Sequence, residues 1–172
     1  ADNLNPASSP ITTLTAADIL DEIGWTDGSH PIIQGMLRYL ASGDSFDVAH
    51  NQWMNTIPSN NDYPHACWWS YDGKDEFRYN PTAGLTAFIL RYAASDSPLY
   101  AKAVQLATEA AQWFLNGEGK GERHVVACFV PLYHAIMKVR LPHIDTDRMA
   151  AMLKEQVTAS LTQETDKWPV EY

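Results

Sequence analysis

Histidine and cysteine occur together in two short motifs, and side chains of these types can bind a metal ion. His65 and Cys67 lie in a segment without helical periodicity, whereas His124 and Cys128 are four apart in a predicted helix. Residues four apart share one helix face, and two nitrogens with two sulfurs suit zinc. The spacing differs from the C-x2–4-C pattern of most zinc sites. We therefore favour buried thiols and backbone-bonded histidines, and expect no metal and no other cofactor.

Carboxylates near the aromatic segments could supply acid–base chemistry. A glycosidase of the (α/α)-barrel type needs two of them facing each other across a Trp-lined cleft. The candidates are Asp62, Asp72, Asp75, Glu76 and Glu171. The three at 72, 75 and 76 are better explained as a solvated turn. Asp62 follows two asparagines, so we expect it to anchor the loop through backbone N–H groups or to orient His65.

Catalysis by a cysteine nucleophile is not favoured. A thiol needs a base within hydrogen-bond reach. His65 and Cys67 are two apart in an extended loop and are poorly placed for that bond, while Cys128 is on an apolar helix and is predicted to be core. No G-x-S-x-G motif occurs, and the glycines at 117, 119 and 121 are interpreted as a linker.

The segment NNDYPHACWWSYD, residues 60–72, is the strongest candidate for a site. Trp and Tyr each bring a large apolar area and one polar group, which suits an aromatic-lined cavity as well as packing. Because adjacent residues cannot easily share one buried face, we expect either Trp68 or Trp69 to pack in the core. The other, with His65, would face a cavity. The candidate cavity and loop residues are Trp53, Asn60, Asn61, Asp62, His65, Trp68, Trp69, Tyr79 and Asn80.

Helices are expected to position these residues, since capping signals, first-turn prolines and apolar stripes recur along the chain. Residues 1–13 are rich in Pro, Ser, Thr and Asn and predict a flexible arm, followed by a single domain over 14–172. No strand is predicted, so the fold class is all-α. The seven predicted helices cover about 15–23, 31–43, 46–54, 80–94, 99–115, 123–139 and 147–163.

The charge composition disfavours some classes of partner. The 172 residues carry a net charge of −9 without a Lys/Arg cluster, which disfavours nucleic acid and anionic membrane surfaces. The longest apolar stretches are too short to span a bilayer. Two cysteines are too few for a disulfide framework, so we predict unpaired, buried thiols and a reduced, cytoplasmic setting.

Three segments carry a resemblance to a known superfamily: IPSNNDYPHACWW (57–69), YNPTAGLTAFILRYA (79–93) and the closing DKWPVEY. Together they resemble bacterial proteins of the terpenoid cyclase/protein prenyltransferase superfamily, over about residues 25 to 172. The resemblance implies an α/α toroid, in which antiparallel helical hairpins stack into a ring around an aromatic-lined cavity. In characterised members of the superfamily, that cavity takes an isoprenoid chain.

The motifs of the characterised enzymes are missing: no Asp-x-Asp-Asp, no DDxxD and no prenyltransferase zinc motif occurs. Seven helices also cannot close a full ring, so an open partial ring or a part of a longer chain is expected. The leading hypothesis is binding of a hydrophobic, isoprenoid-like small molecule, with no catalytic step assigned. The alternatives are a carbohydrate-active (α/α) barrel enzyme and a non-catalytic, partner-binding module whose open edge would favour homo-oligomers.

Overall fold

The computed structural model describes residues 3–161, most of which lie in six α-helices. These are α1 Pro10–Glu22, α2 Pro31–Ser42, α3 Thr82–Tyr92, α4 Pro98–Leu115, α5 Arg123–Val139 and α6 Thr146–Ser160. The segment between α2 and α3 holds two-residue strands, β1 Phe46–Asp47 and β2 Gln52–Trp53, and two 3-10 turns, Pro58–Asp62 and Cys67–Trp69. The all-α prediction is confirmed, and the ring arrangement stays a prediction. None of the helices within residues 3–161 is long and apolar enough to cross a membrane.

The N-terminal segment differs from the predicted flexible arm. Ser9 and Thr12 form a reciprocal cap, each side chain bonding to the other's backbone N–H, and Pro10 occupies the first helical position of α1. The helix therefore begins before the predicted start at Thr15. Residues 3–5 are also tied down, because the backbone N–H of Leu4 donates to the Pro64 carbonyl at 3.0 Å.

The central element is α3, whose residues 82–90 are all buried. It contacts α1, α2, α4 and α5, which explains burial on every side. The apolar pattern of the sequence instead indicates α5 as the helix buried nearly all round, but α5 exposes Met137 and His134 on its outer face. Pro131 lies inside α5 without dividing it.

The helix predicted over 46–54 is wrong, since this segment is the β1–β2 hairpin. Ser45 and Asn51 have φ angles of 57° and 55°, a left-handed conformation that an α-helix excludes. Antiparallel pairing sets Phe46 opposite Trp53, and their rings meet edge to face at 4.9 Å. Trp53 is buried in the core, and the Lys102 ammonium lies 3.2 Å from the centre of the Phe46 ring.

A cluster of aromatic rings joins α4 and α5 to the residues that precede α3. Phe129 stacks on Phe114 at 4.7 Å and on Trp113 at 5.9 Å between ring centres. Tyr79 packs against Trp113 at 5.3 Å. Tyr79, a candidate cavity residue, is thus a core residue, as is Trp53.

Candidate functional site

Asn60 is the buried anchor of residues 60–72, here called the aromatic loop, and has an exposed fraction of 1%. Its Nδ2 donates to the Trp69 carbonyl at 2.9 Å. Its Oδ1 accepts from the Asn5 side-chain amide at 2.9 Å and from that of Asn3 at 3.3 Å. One side chain therefore joins three chain segments and fixes the position of Trp69.

Asn61 holds the two arms of the loop together from the solvent side. Its Nδ2 donates to the Tyr71 carbonyl at 2.8 Å, and its Oδ1 accepts from the Tyr71 N–H at 2.9 Å. These two bonds have the pattern of a hydrogen-bonded pair in an antiparallel β-ladder, with the Asn61 side chain in place of one backbone. The turn of the loop, predicted to be fixed by Asn60, Asn61 and Asp62, is thus bonded by the side chains of the two asparagines. Asp62 is exposed at the end of the 3-10 turn.

His65 is oriented by Tyr63 and Ser70 of its own loop, so Asp62 does not have the second of its two predicted roles, that of orienting His65. Its Nδ1 lies 2.6 Å from the Tyr63 carbonyl oxygen, and its Nε2 lies 3.0 Å from Ser70 Oγ. Both ring nitrogens of His65 therefore have hydrogen-bond partners within a span of eight residues. Cys67 is exposed on the same loop, which corrects the prediction that this thiol is buried.

A cavity of about 650 Å³ lies between α1, the aromatic loop, the start of α3 and the N-terminal half of α5. The loop contributes Trp68 and Trp69, and the later elements contribute Asn80, His124 and Cys128. From the sequence, Trp68, Trp69 and Asn80 are candidate cavity residues, whereas His124 and Cys128 are only zinc candidates. The fold brings all five to one cavity although they span about a third of the chain.

The two tryptophans share this cavity, so the expected division between a core Trp and a cavity Trp is wrong. Trp68 is 65% exposed, whereas Trp69 is partly buried. We infer that Trp68 forms the rim and Trp69 the wall. His65, expected to accompany one of them, is not among the residues that line the cavity, because its ring is held against Tyr63 and Ser70.

The opposite wall is a face of α1 that the sequence analysis missed. Ile11, Leu14, Thr15 and Asp18 line the cavity. Their spacing of i, i+3, i+4 and i+7 is typical of one helix face. A helix predicted to start at Pro10 would include all four residues, and this spacing would then indicate the wall. Asn55 also lines the cavity, from a loop position without any local signal.

Asp18 is the one carboxylate among the described residues that line this cavity. Partial desolvation raises its pKa, and the neighbouring charges of Glu22 and Asp21 raise it further. A glycosidase pair of facing carboxylates is therefore not assembled in this cavity. Nor does the cavity wall, within the described part of the chain, carry a Lys or Arg side chain.

Three of the carboxylates considered from the sequence, those at 72, 75 and 76, have structural roles. Asp75 accepts from the Asn55 backbone N–H at 2.6 Å, and Asp72 accepts from the Lys74 N–H at 2.9 Å. Glu76 pairs with Arg78 at 3.2 Å on the surface. This agrees with the interpretation of residues 72–76 as a solvated turn. Glu171 lies outside the described residues.

The candidate zinc ligands are not brought together either. Within residues 3–161, no group of three or more His, Cys, Asp or Glu side chains is placed to hold a metal ion. Cys128 is buried and its thiol lies 3.5 Å from the Asn80 side-chain oxygen, whereas His124 is exposed. His65, Cys67, His124 and Cys128 therefore do not form one ligand set.

Cys128 is expected to be inert toward alkylation in the folded protein. Burial raises the pKa of its thiol to about 12, and the nearby Asp18 charge adds to the effect. At pH 8 the thiolate fraction is then on the order of 10⁻⁴, and the thiolate is the reactive form. Mass spectrometry after iodoacetamide treatment should show one modified thiol, at the exposed Cys67, and two after unfolding in guanidinium. Native Cys67→Ser protein that is modified at Cys128 would contradict this expectation.

Comparison of the chain with protein-family models, curated proteins and solved structures gave no match. The superfamily resemblance therefore rests on the sequence segments alone, and any functional assignment rests on the cavity.

Proposed function

We propose that this protein binds a hydrophobic, isoprenoid-like small molecule in the cavity between α1, α5 and the aromatic loop. The observation that carries the proposal is the convergence of Trp68, Trp69, Asn80, His124 and Cys128 on one concave site. Its volume of about 650 Å³ falls within the range of about 300–1,000 Å³ that small-molecule sites occupy.

The chemistry of the wall suits a branched apolar chain with one neutral polar end. Ile11 and Leu14 offer aliphatic surface, and the two indoles offer flat apolar faces. Asn55 and Asn80 supply amide groups that fix the orientation of a hydroxyl or carbonyl. The resemblance of the loop and α3 segments to the terpenoid cyclase/prenyltransferase superfamily supports the same ligand class, and supports placing the helices in an open α/α ring.

The electrostatics favour an isoprenoid alcohol over an isoprenoid diphosphate. A diphosphate needs cationic groups, whereas the described cavity wall carries Asp18 and no Lys or Arg. The net charge of −9 adds a general repulsion. This preference distinguishes the proposed ligand from the substrates of diphosphate-dependent enzymes.

The proposal is tested by titrating the protein with farnesol and with farnesyl diphosphate in a calorimeter. We expect farnesol to bind and the diphosphate to bind at least about tenfold more weakly, a difference of about 1.4 kcal/mol. Trp68→Ala should weaken farnesol binding by about tenfold or more, since the truncation removes rim contact area. Because Trp68 is mostly exposed, the variant should keep its fold, which circular dichroism checks.

Trp25→Ala is the matched control, because Trp25 packs on His30 between α1 and α2 and does not line the cavity. It should bind farnesol as the unaltered protein does. Equal affinities in the Trp68→Ala and Trp25→Ala variants, or no heat of binding with either ligand, would contradict the proposal. Binding of cellobiose in place of farnesol would favour the carbohydrate alternative.

A further inference from the structure

We infer that Ser70 and His65 form a nucleophile–base pair that accepts an acyl group from small carboxylic esters. This activity goes beyond ligand binding, and its two reacting groups, on Ser70 and His65, lie outside the cavity lining. The His65 Nε2 lies 3.0 Å from Ser70 Oγ, which is hydrogen-bond distance between a hydroxyl and an imidazole nitrogen.

The second ring nitrogen sets the direction of that bond. Nδ1 of His65 lies 2.6 Å from the Tyr63 carbonyl oxygen, and a carbonyl oxygen can only accept. In the neutral ring, Nδ1 therefore carries the proton and Nε2 has a free lone pair. The Ser70 hydroxyl is the group that donates to this lone pair. Nucleophile, base and orienting acceptor thus follow the order of a catalytic triad, with a backbone carbonyl in the place of the carboxylate.

Backbone contacts hold both partners in place. His65 forms an antiparallel bridge with Asn3, and the Pro64 carbonyl accepts from the Leu4 N–H. The Ser70 N–H donates to the Cys67 carbonyl at 3.3 Å, which closes the second 3-10 turn. Such fixation matters because an acyl transfer gains most from groups that are already oriented.

Access and neighbouring surface favour Ser70 as the reactive residue. Ser70 is exposed, so an ester carbonyl can reach its Oγ, in contrast with the buried Cys128. The preceding residue, Trp69, lines the cavity and offers apolar surface to an acyl chain. Esters with a short alkyl chain are therefore the expected substrates.

The reaction balances with an ester and water as its reactants. Ser70 Oγ bonds to the carbonyl carbon while His65 Nε2 takes the hydroxyl proton. The tetrahedral adduct then breaks its bond to the alcohol oxygen, and the alcohol leaves with that proton. A water molecule that loses a proton to His65 next attacks the acyl-serine, which releases the carboxylic acid and restores the hydroxyl.

The test is acylation by p-nitrophenyl butyrate, followed by intact-mass measurement and peptide mapping. We expect one butyryl group on Ser70, none at this position in Ser70→Ala, and acylation slowed at least about a hundredfold in His65→Gln, as for loss of a general base. Ser95→Ala, which alters an exposed serine between α3 and α4, should react as the unaltered protein does. Circular dichroism checks the fold of each variant.

Equal acylation rates in the unaltered protein and in folded His65→Gln would overturn the pair, as would butyryl groups found on lysines and absent from Ser70. If His65→Gln fails to fold, Ser70→Ala decides alone, because it removes one exposed hydroxyl. Farnesol binding by Ser70→Ala is measured in parallel and should be unchanged. Loss of acylation with binding retained therefore separates this inference from the proposed ligand site.

Discussion

Asn60→Ala should lower the free energy of unfolding by about 2–4 kcal/mol and should also weaken ligand binding. The substitution leaves the Trp69 carbonyl without its side-chain donor and the Asn3 amide without its acceptor, while the Asn5 amide keeps only its bond to Ser59 Oγ. A buried polar group that loses its partner costs about 1–3 kcal/mol, whereas partly exposed amides recover bonds to water. Because Asn60 fixes Trp69, the cavity wall should shift as well. Urea unfolding and farnesol calorimetry measure the two effects.

Asn61→Ala is the matched control, since it removes the same side-chain amide at the next position. Asn61 makes two bonds, both to Tyr71, where Asn60 makes three, but Asn61 is exposed, so water replaces its bonds. We expect a cost of about 0.5–1.5 kcal/mol. If Asn60→Ala and Asn61→Ala have equal free energies of unfolding, the burial of Asn60 is not what anchors the loop.

The helices were largely predictable because their signals are local. Pro31 and Pro98 stand at first helical positions, and apolar stripes at helical spacing follow them. The predicted helices at 31–43 and 99–115 agree with α2 and α4 to within a residue at each end. The prediction of seven helices exceeds the six described because the segment 46–54 pairs as a hairpin.

The cavity could be predicted only in part because its geometry depends on contacts between distant residues. Trp68 and Trp69 stand out by composition, but the bonds from Asn3 and Asn5 to Asn60 join residues more than fifty positions apart. No local pattern indicates that a Pro- and Ser-rich arm will close over a loop. The Ser70–His65 pair was missed for a related reason: its geometry follows from the 3-10 turn that reverses the chain between them.

Gly119→Ala should destabilise the protein by about 2–5 kcal/mol through two separate effects. Gly119 has a φ of +66°, a conformation in which a side chain costs about 1–2 kcal/mol. A Cβ there would also lie 2.5 Å from Cη2 of Trp113 and 2.9 Å from Cγ1 of Val125. Overpacking of this kind costs about 1–3 kcal/mol. The Trp113 ring cannot easily move away, since Tyr79 and Phe129 pack against it.

Gly121→Ala separates the two effects. Gly121 has a φ of +82°, but nothing lies within 4 Å of the position that a Cβ would take there, so only the backbone cost applies. The difference between the two variants in urea unfolding should be about 1–3 kcal/mol, the overpacking contribution. Adding Trp113→Leu removes the ring atoms nearest to the new methyl group. In a double-mutant cycle, the cost of Gly119→Ala should then fall toward that of Gly121→Ala. A cost unchanged by Trp113→Leu would mean that the Trp113 ring is not the source of the overpacking, and would leave the backbone conformation and the Val125 contact as the reasons for glycine at this position.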